Sequence, residues 1–345
     1  MSSKTVFPFV LGFFWLLTGS IFAAEVNVYS ARGEDLIKPA LDQFTRDTGI
    51  AVNLITENAS ALIRRIESEV VNSPADVLLT VDAGRLYRAK AADIFQSIDS
   101  VILKARIPVA YRDIDDKWFG LSLRSRVIMY DKSRVDASEL STYEDLANPK
   151  WRNEICIRSS SNIYNQSLLA SLIAHVGAGA AEEWTRGLVA NFARSPQGGD
   201  RDQIRAAIAG QCKLAVSNTY YLAGMLISDV EADVEVAKQV GVFFPNQGGD
   251  NESERRGAHM NVSGAGVVKT APNKTEAVQL LEFLTGDFAQ KFYSEVNNEY
   301  SVRSDIPVSE ALRGFGDFKA DSLNLDTLGR NNDSAVRMAD RAGWR

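Results

Sequence analysis

The stretch ADVLLTV, residues 75–81, is an almost unbroken apolar run. A strand with one wet face alternates polar and apolar side chains. A run like this one suits a strand covered on both faces, as in a parallel sheet with helices on either side. Toward the N-terminus, SALIRRIESEV (60–70) has helical spacing, with Ser60 as its expected N-cap. Before it, AVNLIT (51–56) reads as a strand. EDLIKPALDQFTRDTG places Leu36, Ile37, Leu41 and Phe44 on one helical face and stops at Gly49. VNVYS (26–30) is the first strand. This β-α-β-α-β order predicts an α/β chain with a parallel sheet and right-handed crossovers.

Beyond residue 81 the pattern restarts. WFGLSLRSRVIMYD (118–131) is one long extended segment, with Ser122, Arg124 and Arg126 on one parity and Phe119, Leu121 and Leu123 on the other. EICIRSSSN is a strand and polar loop, NQSLLASLIAHVGAG and DQIRAAIAG are helices, and KLAVSNTYYLAGMLISD is strand, turn and helix. VGVFFPN (240–246) and NVSGAGVVKT (261–270) are strands again, and helical patterns close the chain. Such an order predicts two lobes facing a cleft, with the chain crossing between them more than once. The expected division is 25–122 plus about 256–300 for the first lobe, and about 123–255 plus about 301–345 for the second.

The chain has 345 residues, enough for two cores, with 45% hydrophobic and 24% charged residues. Its formal charge of −6 argues against nucleic acid or an anionic membrane as partner. At the N-terminus, Lys4 precedes VFPFVLGFFWLLTG and then SIFAAE. A charged start, a short apolar stretch and a small-residue exit describe a secretory signal peptide, residues 1–24. The mature chain then carries 37 basic and 44 acidic residues, a formal charge of −7. No cysteine lies near that exit to take a lipid anchor, so a free periplasmic protein is expected. Cys156 and Cys212 are the only cysteines. In an oxidising compartment they are expected to form a disulfide.

Candidate chemistry is sparse. The two histidines, His175 and His259, have no metal-ligand spacing, and no nucleophile elbow, Walker loop or zinc motif is present. His175 is read as a cation at a helix end and His259 as a structural or hinge residue. Enzymatic function is therefore not expected. Tyr220 and Tyr221 follow the strand KLAVS, and Tyr164 follows the strand ICIR, so all three stand at the carboxyl ends of strands, where open α/β sheets bind ligands. From the residues alone these phenols are either packing or sugar-stacking rings, or hard anionic oxygen donors for a strongly acidic cation such as Fe³⁺. Two adjacent tyrosines are expected at a turn, because successive helix residues diverge by about 100°. Arg124 and Arg126 read as two surface arginines or as an anion-binding fork, and the serines at 159–161 as further anion donors.

Several stretches go further: VNVYSARGE, SPADVLLTVDAGRL, RSRVIMYDK, SNTYYLAGML, VGVFFPNQ and NVSGAGVVKTAPN. In order and over nearly all of the mature chain, they resemble the ferric-iron-binding periplasmic proteins of ABC importers. The resemblance implies a two-lobed periplasmic-binding-protein fold, type II-like, with crossing hinge strands and a central cleft. It implies Tyr164, Tyr220 and Tyr221 as phenolate ligands of Fe³⁺, and Arg124, with Arg126 as second choice, as the holder of a synergistic anion such as carbonate or citrate. It also implies a monomer that delivers its cargo to an inner-membrane permease and its ATPase. The alternative kept open is a periplasmic binding protein for another small anionic or polar ligand, or for an iron chelate. One departure stands out. Relatives often carry RHY after the first strand, where this chain has Arg32, Gly33 and Glu34. Arg32 is a cation expected to repel a metal. The anion held by Arg124 and water are therefore expected to fill the open positions, with the first lobe closing over the ion without ligating it; Glu34 is the alternative first-lobe donor, unless it is only a helix-start carboxylate.

Overall fold

The computed structural model describes residues 24–345. The expected signal peptide lies outside the described residues, apart from Ala24. Among the described residues, no helix is long and apolar enough to cross a membrane.

Among the described residues there are nine strands: β1 (Glu25–Ser30), β2 (Ala51–Thr56), β3 (Val77–Val81), β4 (Phe119–Asp131), β5 (Ile155–Cys156), β6 (Leu214–Asn218), β7 (Val240–Phe243), β8 (Met260–Val267) and β9 (Tyr300–Ser301). They form one curled sheet in the order β2-β1-β3-β8-β4-β6-β5, with β7 and β9 also paired to β4. β1 is parallel to β2 and to β3, as the opening β-α-β-α-β pattern predicts. The sheet as a whole is mixed, because β8 runs antiparallel to both β3 and β4.

β4 explains the architecture. Its first half pairs with β8 from Phe119↔Ala265 to Ser125↔Met260. Its second half leaves β8 and pairs with β6 from Arg126↔Asn218 onward, and with β7. One 13-residue strand thus belongs to two halves of the sheet. Twelve of its residues are buried, which is why its apolar and polar residues alternate without a wet face. β8 can lie this close because of its glycines. A Cβ on Gly264 would stand 2.7 Å from Phe119 O, and one on Gly266 2.5 Å from Lys117 O.

Helices cover both faces. Lys38–Thr48 ends on Gly49 in the left-handed region (φ 75°), where glycine costs least. Ala59–Glu69 is capped by Asn58, whose side chain accepts from Ala61 N. Ser60, the expected cap, lies inside the helix, because Asn58, two residues earlier, already fills the cap position. The expected 165–179 helix is longer, Ile163–Ala190, with a break at Gly177 (φ 80°).

Apolar side chains gather into three clusters. One takes Val28, Leu78, Phe119, Val262 and Tyr293, with Leu325 and Leu328 from near the C-terminus. A second takes Ile128, Leu168, Val216, Met338 and Trp344, and a third Val127, Ile204, Leu222 and Phe244. Cys156 and Cys212 form the expected disulfide, with Cα atoms 5.9 Å apart, and tie β5 to the entry of β6. Both of those strands lead into tyrosine-bearing helices.

Candidate functional site

Tyr164 is the second residue of Ile163–Ala190, whose N-cap Asn162 accepts from Tyr164 N at 3.0 Å. Tyr220 and Tyr221 lie in the first turn of the helix Thr219–Leu226, directly after β6. The expectation that adjacent tyrosines need a non-helical turn is therefore corrected. Both are helical, and their rings lie side by side at 4.3 Å between centroids, tilted by 39°. At a helix start no preceding turn stands in the way, so two long side chains can lean to one side.

The three phenols converge. Tyr220 Oη donates to Tyr164 Oη at 3.3 Å although 56 residues separate them. Asn218 Nδ2 points at Tyr220 Oη from 3.4 Å. Burial, then the neighbouring Tyr164 and Tyr221 phenols, push the Tyr220 hydroxyl well above its ordinary value. Burial and Tyr164 push Tyr221 up to about 12. Both are neutral at physiological pH until a cation competes for the proton.

The phenols line a cavity of about 620 Å³ that also takes in Arg124, Arg32, Gly33, Asp35, Glu299 and Arg201. Arg124 is 1% exposed. Its Nη1 donates to Ser263 Oγ at 2.9 Å, while Nε and Nη2 are buried without a partner. Its guanidinium lies 5.5 Å from the centre of the Tyr164 ring. Buried N–H groups left open at a cavity wall are poised for an acceptor that enters it.

Arg32 is neutralised. Its Nη2 meets Glu299 Oε2 at 2.8 Å, and Nη1 donates to Ser263 Oγ at 3.0 Å. Ser122 Oγ donates to the same Glu299 oxygen at 2.6 Å. The repulsion of a metal expected from Arg32 is thus offset by Glu299, which no sequence signal marked.

Two expected residues do not face the cavity. Glu34 is exposed at the start of a single 3-10 turn, Glu34–Leu36, and its neighbour Asp35 lines the cavity instead. Three residues per turn point successive side chains about 120° apart, so the two cannot share a direction. Arg126 is 1% exposed and fully engaged. It pairs with Asp200 at 2.7 Å and donates to Asn165, Asn218 and Val216 O. As an anion fork it has no donor to spare; it ties the tyrosine-bearing helices together. The serines 159–161 bond to one another, to Gln166 and to Trp344 O rather than to the cavity.

The histidines lie elsewhere. His175 Nε2 stands 2.7 Å from Asp321 Oδ2. His259, 3% exposed, sits where the chain enters β8, its amide donating to Tyr143 Oη at 3.0 Å. Among the described residues no three His, Cys, Asp or Glu side chains cluster at metal-holding distance, which leaves the phenols as the converging donors.

Residues 40–314 match the family described as bacterial extracellular solute-binding protein. The chain belongs to that family. Other proteins are similar to this chain over most of its length. Iron uptake protein A1 of Synechocystis is 48% identical over 321 residues, 93% of this chain and 88% of that one. Iron uptake protein A2 of the same organism is 46% identical over 92% of this chain and 90% of its own length. Among solved structures, the Trichodesmium protein IdiA, or FutA, in complex with iron and citrate ligands has a TM-score of 0.89 at 51% identity, covering 93% of this chain and all of that one. The ferric iron-binding protein A of Mannheimia haemolytica in an open conformation has a TM-score of 0.86 at 42% identity, covering 93% and 99%. The fold of this solute-binding protein is accordingly the two-lobed one of periplasmic ferric-binding proteins, as the resemblance implies.

Proposed function

We propose that this solute-binding protein captures ferric iron in the cleft between its lobes and delivers it to an ABC permease. The observation that carries the reading is the meeting of Tyr164 and Tyr220 hydroxyls at 3.3 Å from two separate strand-to-helix junctions, with Tyr221 beside them. Phenols with raised pKa values hold their protons against ordinary cations. Only a strongly acidic ion displaces them, and the phenolates formed are hard oxygen donors suited to Fe³⁺.

Charge supports the same arrangement. Three phenolates offset the charge of Fe³⁺. Arg124 then remains, with free N–H groups suited to a carboxylate or carbonate oxygen. An anion held there completes the coordination that the phenols leave open. The Arg32–Glu299 pair gives the facing wall no net charge.

The protein acts in the periplasm as a monomeric carrier rather than a catalyst, and meets the permease together with its ATPase. The names of its relatives, iron uptake and ferric iron-binding proteins, support this reading. The test is optical. Adding ferric iron to the colourless mature protein is expected to produce a visible phenolate-to-iron charge-transfer band, absent when Tyr164, Tyr220 and Tyr221 are all phenylalanine. A parent protein that stays colourless at saturating ferric iron overturns the reading.

A further inference from the structure

Arg201 was marked by no sequence motif, yet it reaches the cleft. It follows Asp200 in the first turn of the helix Asp200–Ile208. Asp200 is fully buried and holds both Arg126 and Arg158, at 2.7 and 2.6 Å, so the start of that helix is fixed. Arg201, next in the chain, turns outward to the cavity. Its path crosses Gly224 of the tyrosine-bearing helix, where a Cβ would stand 3.3 Å from Arg201 Nη2. Glycine there lets the guanidinium pass one turn beyond Tyr220 and Tyr221.

Among the described residues, Arg201 has no acidic partner within salt-bridge distance and no hydrogen bond. Its neighbours on the same side are employed: Arg158 with Asp200, and Arg205 with Asp233 at 2.8 Å. The cavity therefore carries three arginines, Arg32, Arg124 and Arg201, against two acids, Asp35 and Glu299. Fe³⁺ and three phenolates cancel, so a loaded cavity keeps an excess positive charge. Its unpartnered donors lie on three side chains: Arg124 and, through Nε alone, Arg32 at the buried walls, and Arg201 at the exposed rim. The volume, about 620 Å³, is in the range of sites for small organic molecules and exceeds what an ion with a single carbonate fills. Gly33 adds no side chain to close it.

We propose that Arg201 is the rim residue that makes this site prefer ferric iron accompanied by a multivalent carboxylate over ferric iron accompanied by a small monovalent anion. The inference rests on the ferric reading above. One carboxylate arm of such an anion meets Arg124 beside the ion, and a second arm reaches Arg201. An anion with a single carboxylate satisfies only the first.

The test uses the mature protein loaded with ferric iron in bicarbonate buffer, with citrate or acetate titrated in while the charge-transfer band is followed. The parent band is expected to shift with citrate at far lower concentration than with acetate. Arg201→Gln is expected to raise the citrate midpoint about tenfold, the loss of one charge-assisted contact, and to move the acetate midpoint much less. Arg201→Lys is expected to recover part of the citrate affinity, and added salt to weaken citrate binding in the parent more than in Arg201→Gln. Equal citrate midpoints in parent and Arg201→Gln, with the band present in both, overturn the Arg201 proposal alone. Absence of any band in the parent overturns the ferric reading, and this proposal with it.

Discussion

Arg126 Nη2 donates to Asn165 Oδ1 at 2.6 Å, and Asn165 is the residue directly after Tyr164. Through Nη1 the same guanidinium reaches Asn218 at 3.1 Å, two residues before Tyr220. One buried side chain on β4 thus braces both junctions from which the phenols project, with Asp200 balancing its charge.

That bracing sets the first expectation. Arg126→Leu leaves Asp200 buried with Arg158 as its remaining partner. Breaking a buried pair from one side costs about 3–5 kcal/mol, and Arg158 places this case at the lower end. Chemical denaturation of the apo protein checks the loss. Iron affinity should fall as well, although Arg126 does not line the cavity. A variant of parental stability and affinity would show that the bracing is dispensable.

Single Tyr→Phe changes at 164, 220 and 221 remove one anionic donor each and keep the ring. Each is expected to lower ferric affinity by more than about 100-fold, beyond what outer-shell changes cost, and to shift or bleach the visible band. Apo melting temperature should move little, because Tyr220 to Tyr164 is a long hydrogen bond at 3.3 Å. Glu34→Gln, by contrast, should leave iron affinity at the parental value, since Glu34 is exposed and outside the cavity wall.

Iron affinity should rise with pH. Burial holds Tyr220 well above the ordinary phenol value and Tyr221 up to about 12, so both are protonated in the apo protein at pH 7. Each phenolate formed releases one proton, so affinity for free Fe³⁺ gains about tenfold per pH unit for each. Competition against a chelator of known affinity between pH 6 and 8 measures the slope. A slope of zero would exclude phenolate ligation.

His259 predicts a pH effect on folding itself. Burial, with Arg126, Arg256 and His175 nearby and Asp321 opposing them, lowers its pKa to about 3. The unfolded chain takes up the proton near 6.5. Between those values the unfolded state binds more protons, so this contribution is whole above about pH 6.5 and is lost progressively as pH falls toward about 3. Denaturation of parent and His259→Gln from pH 7 to pH 4 should show the parent losing stability faster. Parallel curves would remove His259 from the account.

Reducing the Cys156–Cys212 bridge opens a loop with a sequence separation of 56. In the chain-entropy model such a bridge stabilises by about 4 kcal/mol. The Cys156→Ser/Cys212→Ser protein should unfold at clearly lower denaturant, while its iron stoichiometry stays at that of the parent. Unchanged denaturation would mean the bridge restrains nothing in the unfolded chain.

The sequence by itself determined what short-range pattern can encode. Strand periods, the apolar run at 75–81 and the restart after 118 are visible along the chain, because alternation and helical spacing follow from side-chain direction within one element. The pairing of Cys156 with Cys212 followed from their number and compartment. The tyrosines could be singled out because strand ends preceding helices are where α/β sheets bind ligands. The tertiary structure alone decided which polar groups meet. Arg124 and Arg126 share one parity on one strand, yet β4 changes partners between them, so one faces the cavity and the other is locked to Asp200. Glu34 and Asp35 are neighbours with one charge each, and a single 3-10 turn chooses between them. Glu299 and Arg201 reach the cavity from far along the chain, Glu299 lying 267 residues from its partner Arg32. Such contacts carry no local period, because a charge finds its partner through space once the sheet has curled.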